Sequence, residues 1–255
     1  MMSDGSGQPV SERLAEVTEA CRVLAMEGHN DLTRGQVSVR DPDGRGLWLK
    51  RGGISLAEVR GPEDFLLLGF DGKVLAGSGA RHAEWPVHTE IYRARPDVHA
   101  IGHTHPYHAS LLAATEAELV GVTREGTLFQ GRLAHYAVTA NLIATPQLGA
   151  GLADALGTEF AVLMRNHGIT FCGRAIGECA VIGVLFERAC RAQLVVNASG
   201  LEWSPSRPMD QETRGVSPVS DRDILRFWNY YRRKLARARR RAARLGAAST
   251  RRHAC

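Results

Sequence analysis

Two histidines one residue apart, His103-Thr104-His105, close the apolar run Val98-His99-Ala100-Ile101-Gly102 and are followed at once by Pro106. In an extended strand, residues two apart project from the same face. Read as a strand, Val98 to His105 therefore sets both imidazoles side by side. Two polar rings on one face of a buried strand must be received by a metal or by a dedicated hydrogen-bond network. A third imidazole, His167 in Arg165-Asn166-His167-Gly168, follows the apolar run Phe160 to Met164, which also reads as a strand. A fold that brings these two strand ends together converges three nitrogen donors on one divalent ion and leaves a coordination position open.

The rest of the chain is compatible with such a fold. A length of 255 residues, 44% hydrophobic and 23% charged, suits one large α/β domain with a substantial core. The longest apolar run, Cys179 to Phe186, is too short to cross a bilayer. The first nine residues are polar and Gly/Ser-rich, without a signal-peptide pattern, so the expected location is cytoplasmic. Five scattered cysteines with no CxxC pair fit buried, reduced thiols.

The net charge of +5 divides unevenly. Ten Lys/Arg residues and no acid lie between Arg232 and Arg252, so residues 1–231 carry −5. The tail reads as a solvated helical extension rather than a nucleic-acid or lipid-binding arm, because Ala and Arg supply helix propensity without any group that reads bases.

Residues 1–10 are expected to be disordered. The spacing of Leu14, Val17, Cys21, Leu24 and Ala25 predicts an amphipathic helix with Ser11 as N-cap and Gly28 beyond its end. Strands are expected at Gln36–Arg40, Leu47–Lys50 and Phe65–Gly69, divided by Asp41-Pro42-Asp43-Gly44 and Asp71-Gly72 turns. Helices are expected at Pro86–Arg93, Ala109–Glu116, Pro146–Leu156 and Ala175–Ala198. Gly121–Ala137 carries patches of β character. Trp203–Pro218 reads as an irregular, proline-rich excursion, and Asp221 as the cap of a terminal helix. The expected organisation is a catalytic domain over 11–200, then a connector and basic helical tail over 201–255.

Several motifs in order resemble the class II aldolase/adducin family over roughly residues 12–200. They are Gly35-Gln36-Val37-Ser38-Val39-Arg40, Glu84-Trp85-Pro86-Val87-His88, Ile91-Tyr92-Arg93-Ala94-Arg95-Pro96-Asp97-Val98, His103-Thr104-His105-Pro106, and Asn166-His167-Gly168 with Gly173 and Glu178. The resemblance implies a three-layer α/β/α fold with a mainly antiparallel central sheet, assembled as a homotetramer with active sites at subunit contacts. It makes His103, His105 and His167 the metal ligands and Glu84 the catalytic acid/base. Three imidazoles favour Zn2+, with Mn2+, Co2+ and Fe2+ as alternatives.

Chemistry agrees with those roles. An ion held by neutral nitrogens keeps its full charge and stabilises an enolate oxygen. A nearby carboxylate then moves the proton on the carbon or oxygen being released. A lone Glu84 would instead read as a helix-starting carboxylate favoured by the dipole, and His88, one turn on, as a ring that supports the site from behind or is structural. His29, His82, His99 and His135 read individually as hydrogen-bonded space fillers.

This chain departs from the sugar-phosphate pattern. Where phosphate-binding family members carry hydroxylic loops, it has Gly35-Gln36-Val37-Ser38, Lys50-Arg51-Gly52-Gly53 and Arg81-His82-Ala83. Gln36, Ser38, Arg51, Gly53 and Tyr107 are the expected substrate contacts. An Arg fork suits a carboxylate as well as a phosphate. The expected activity is therefore a divalent-metal lyase on a small, oxygenated, carboxylated substrate, by decarboxylation or retro-aldol cleavage. A non-haem iron oxygenase and a non-enzymatic adducin-like binding module are the alternatives. Tyr107, Tyr136, Tyr230 and Tyr231 are candidate proton donors, since the family often takes a tyrosine from a neighbouring subunit. Asp31 and Thr33 could line the pocket, or could simply form Asx- or ST-type turns.

Overall fold

Alternation of side chains along short strands builds an eight-stranded sheet whose two faces bury two distinct sets of apolar residues. A computed structural model of the chain describes residues 8–206 and 220–252, with side chains described through 245. The strands are β1 (Gln36–Arg40), β2 (Leu47–Lys50), β3 (Phe65–Leu68), β4 (Val74–Ala76), β5 (Ala100–Thr104), β6 (Ala134–Tyr136), β7 (Ala161–Met164) and β8 (Gly168–Gly173). They lie in the order β4-β3-β2-β1-β5-β8-β7-β6. All neighbours are antiparallel except the parallel pair β6–β7. The helices are α1 (Val10–Leu24), α2 (Trp85–Ala94), α3 (Tyr107–Ala113), α4 (Pro146–Leu156), α5 (Ile176–Ala198) and α6 (Asp221–Arg252).

One face of the sheet buries Leu47, Leu49, Leu66, Leu68, Ile101, Val162 and Cys172 against Val87 and Ile91 of α2 and Leu152 of α4. The other buries Val37, Val39, Ala100, Leu163 and Phe171 against α1, α3, α5 and α6. Helices thus cover both faces of a mainly antiparallel sheet, which is the expected three-layer architecture. Helix α5 is apolar nearly all round from Ile176 to Phe186, as a helix enclosed on every side must be.

Residue 102 must be glycine for these layers to meet. A Cβ there would stand 2.4 Å from the Phe171 ring, and one on Gly183 of α5 would stand 2.5 Å from the same ring. Phe171 fills the space that both glycines leave.

Several boundaries differ from expectation. Pro9, not Ser11, occupies the N-cap position of α1, and Ser11 lies inside the first turn. Gly28, at φ 100°, lies beyond the end of α1 and breaks the helical geometry inside the short π-helical segment Ala25–His29. Helix α3 begins two residues earlier than expected, directly after Pro106. Ser220 rather than Asp221 caps α6: its Oγ accepts from the Asp223 N–H at 3.2 Å while the Asp223 carboxylate accepts from the Ser220 N–H at 3.3 Å. Strands β4 and β8 carry no expectation, and β6 forms within the stretch left ambiguous. Residues 1–7 of the expected disordered N-terminus and residues 207–218 of the irregular excursion lie outside the described residues.

Helix α6 packs on the body through Ile224, Trp228, Tyr231 and Leu235, all buried. Trp228 Nε1 donates to Glu16 at 3.0 Å, Arg232 pairs with Glu19 at 2.6 Å, and Lys234 pairs with Glu27. The start of the basic tail is thus anchored to α1 and the π-helical segment after it, and Arg237 to Leu245 are exposed. Among the described residues no helix is long and apolar enough to cross a membrane. Cys21, Cys172, Cys179 and Cys190 are free and buried.

Candidate metal centre

Strand β5 sits at the centre of the sheet, and its register fixes what surrounds the first histidine. His103 faces Gln36 of β1 on one side and Thr170 of β8 on the other. His105 lies just past the strand end, where Pro106 turns the chain into α3. The β7–β8 turn brings in His167: Asn166 adopts a left-handed conformation at φ 53°, which Asn tolerates better than most residues, and the His167 N–H bonds the Met164 carbonyl at 3.0 Å. Gly168 follows because nothing larger fits. A Cβ there would stand 2.4 Å from the His105 ring and 2.7 Å from the Thr104 carbonyl.

The three imidazoles converge. One ligand atom from each of His103, His105 and His167 lies within 4.8 Å of the others. The ring centroids are 5.1 Å apart for His103–His105 and for His103–His167, and 5.4 Å for His105–His167. The outer nitrogens are anchored in two of the three. His103 Nδ1 donates to the Ile169 carbonyl at 3.0 Å, and His105 Nδ1 lies 2.9 Å from Asp31 Oδ2. Because a carbonyl can only accept, Nδ1 of His103 carries the hydrogen and Nε2 keeps the lone pair. The Nε2 atoms of His103 and His105 are buried with no hydrogen-bond partner. Orphaned imidazole nitrogens with free lone pairs, aimed at a common point, fit a divalent ion of the zinc type.

Glu84 completes the cluster. It stands at the N-cap of α2, yet its side chain does not cap that helix. Instead its carboxylate lies 3.4 Å from His103 Nε2 and 3.3 Å from His167 Nε2. It also accepts from Gln36 Nε2 at 3.3 Å and from the Ile143 N–H at 2.9 Å. Burial raises the Glu84 pKa, but the hydrogen bonds that the carboxylate accepts, the Ile143 N–H among them, outweigh it and hold the group below the ordinary carboxylate range. The carboxylate is therefore ionised at neutral pH. Burial lowers His167 to about 4, with the neighbouring imidazoles adding to it, and lowers His105 as well. Both rings are neutral and available as ligands.

The structure thus brings His103, His105, His167, Glu84 and Gln36 together. Ser38 lies deeper along β1, its hydroxyl bound to His88 Nδ1 at 2.8 Å and Tyr92 Oη at 3.0 Å. His88 is fully buried. Arg51 pairs with Asp64 at 2.9 Å. The Arg51–Gly53 turn, with Gly53 at φ 79°, is tied to the segment leading to Glu84 by the Gly52 N–H to the Ala80 carbonyl at 2.6 Å. Lys50 turns inward, donating to the Arg51 and Ile54 carbonyls. Tyr107 is 70% exposed, and its ring stands against His108. Tyr136 and Tyr231 are buried, and Tyr230 is exposed.

Two contributors escaped sequence reasoning. The Ile143 N–H comes from irregular backbone with no motif. Thr170, 3.2 Å from His103 Nδ1, becomes visible only with the β5–β8 register. His29, read as a hydrogen-bonded space filler, is fully buried and meets Thr104 Oγ1 at 2.9 Å from the end of the π-helical segment after α1.

The chain is similar to several known proteins. The model of the Class II Aldolase and Adducin N-terminal domain matches residues 15–194. A 3,4-dihydroxyphthalate decarboxylase of Rhodococcus jostii is 30% identical over 200 residues, covering 72% of this chain and 80% of that protein. The meiotically up-regulated gene 14 protein of Schizosaccharomyces pombe is 28% identical over 189 residues, 73% of each chain. Among solved structures, an L-fuculose 1-phosphate aldolase from Glaciozyma antarctica superposes with a TM-score of 0.78 at 22% identity, covering 91% of this chain and 95% of that one, and so shares the fold.

Proposed function

This chain belongs to the class II aldolase and adducin N-terminal domain family, and from that premise we propose that it is a divalent-metal-dependent carbon–carbon lyase acting on a small, oxygenated, carboxylated substrate. Relatives named as decarboxylases, an aldolase and a dehydratase support the lyase class. The observation that carries the reading is the pair of buried, unpartnered Nε2 atoms of His103 and His105 converging with His167 beside an ionised Glu84.

His103, His105 and His167 would hold the ion, with Zn2+ first and Mn2+, Co2+ or Fe2+ as alternatives. When bound, it supplies a Lewis acid for a carbonyl or enolate oxygen of the substrate. The chain's own residues do the remaining work. Gln36 and the Ile143 N–H each hold one oxygen of the Glu84 carboxylate, which fixes its direction. Glu84 begins as a base. In retro-aldol cleavage it takes the hydroxyl proton of the carbon being released; in decarboxylation it takes a substrate hydroxyl proton and returns it to the carbon whose bond to the departing carbon dioxide breaks.

A carboxylate on the substrate suits the Arg51–Gly53 turn, where the guanidinium and the open space beside Gly53 lie on a loop tied to the Glu84 segment. The relatives that act on an aromatic dicarboxylate favour decarboxylation over sugar-phosphate cleavage. Tyr107, exposed at the start of α3, is proposed as a substrate contact across a subunit boundary in a homotetramer. The reduced, buried cysteines agree with a cytoplasmic location.

Metal analysis and turnover test the reading together. His103→Ala should abolish both bound metal and activity. Glu84→Gln should keep the metal and lose release of carbon dioxide or aldehyde from a panel of hydroxylated aromatic acids and sugar acids. Full activity in metal-free protein overturns the proposal.

A further inference from the structure

The three imidazoles of the centre differ in what stands behind them. His103 leans on a backbone carbonyl, at 3.0 Å from Ile169. Nδ1 of His167 is buried with no hydrogen-bond partner. His105 alone has a carboxylate behind it, Asp31 Oδ2 at 2.9 Å from Nδ1, from a residue 74 positions earlier in the chain.

The loop that delivers Asp31 is constrained on both sides. It leaves the end of α1 after Gly28, and Asn30 Oδ1 accepts from the Ala57 N–H at 3.2 Å. Leu32 is held in the left-handed region at φ 48°, and the Arg34 N–H closes back on the Asp31 carbonyl at 2.9 Å. Gly35, at φ 82°, then turns the chain into β1. The exposed contact from Arg34 to Asp31, at 3.5 Å, is too long and too open to hold the carboxylate by itself.

The geometry points to Asp31 as the positioning residue of the metal centre. Its carboxylate receives the Nδ1 hydrogen of His105, which fixes the tautomer with the lone pair on Nε2, orients the ring toward His103 and His167, and makes that nitrogen a stronger donor. This rests on the reading of the three histidines as metal ligands. Asp31 touches neither the ion nor the substrate. It acts through His105, whose other ring nitrogen, Nε2, has no hydrogen-bond partner to set the ring's tautomer. An Asx-type turn at this loop would need the side chain to face its own backbone, whereas the described hydrogen bonds of this carboxylate go to His105 and Arg34.

Chelator competition with Zn2+ and Co2+ measures the effect without any substrate. Wild-type protein, Asp31→Ala, Asp31→Asn, Arg34→Ala and His103→Ala are compared, with thermal unfolding of each metal-free form as a check on folding. Asp31→Ala should bind about 10–100-fold more weakly. Asp31→Asn, which keeps an acceptor oxygen, should recover part of that loss, and Arg34→Ala should match wild type. Two-bond proton–nitrogen spectra of the metal-free protein should show His105 protonated on Nδ1 in wild type and mixed tautomers in Asp31→Ala. Equal affinity of folded Asp31→Ala and wild type, or an unchanged His105 tautomer, overturns the assignment. Failure of wild type itself to bind more tightly than His103→Ala overturns the metal-centre reading instead.

Discussion

At the scale of single residues, the centre depends on what is small as much as on what ligates. Gly168 lets the His105 ring pass within the space a methyl group would take, and the nearest other atom is a backbone carbonyl that cannot move aside. Gly168→Ala should therefore displace His105 and lower bound metal to a small fraction of wild type, with β7 and β8 still paired. Metal content and far-ultraviolet circular dichroism on the same sample check this. The sequence could single out His103, His105, Glu84 and Gln36, which the fold brings together, because they belong to local motifs with fixed spacing. Ser38 belongs to the same motif as Gln36, yet it sits among His88 and Tyr92. Alternation gave it the correct face and could not give its depth along the strand.

At the scale of elements, α6 shows how a charge run hides a packing role. Its four buried residues, Ile224, Trp228, Tyr231 and Leu235, form a stripe at helical spacing that faces α1 and α5. Trp228 also stands over Gly177, whose Cβ would meet the indole at 2.5 Å. Trp228→Ala removes this contact and leaves Glu16 without its donor, so it should cost ~3–5 kcal/mol in unfolding free energy, measurable by urea titration. Helix α3 offers a second case. Glu187 of α5 accepts from the His108 and Ala109 N–H groups at 3.1 and 2.8 Å, supplying from a distance the cap that Pro106 cannot give. Sequence placed α3 two residues late because the cap that starts it comes from another helix.

At the scale of the whole molecule, acid should act through buried neutral histidines. Burial holds His29 down to about 3 and His82 down to about 4. Below the unfolded value near 6.5 the unfolded chain takes up a proton that the folded chain refuses, so stability falls as pH drops from that point. The loss grows by about 1.4 kcal/mol per pH unit for each such ring and levels off below its folded value. Urea midpoints of metal-free protein between pH 7 and 4.5 should show this slope, and His29→Gln should flatten it by the share of one ring. Removal of residues 237–252 tests the tail at the same scale. Since Arg237 to Leu245 are exposed, the truncated protein should keep its metal and unfold within a few degrees of wild type. A protein whose function was tail-mediated binding would lose that function instead.

Local pattern was sufficient for what recurs along the backbone. Short β-like and apolar runs bounded by turn residues located β1, β2, β3, β5 and β7, period 3.6 located the helices, and the motif spacing pointed to the three histidines, Glu84 and the family. These follow from interactions within a few residues, and the chain carries them in plain order. Strand order, the β5–β8 register that sets Thr170 beside His103, the aim of Glu84 away from its own helix, and the reach of Asp31 to His105 joined residues far apart in the chain. Closing such loops is a matter of how the two apolar faces of one sheet are covered at once, and only the packed fold could decide it.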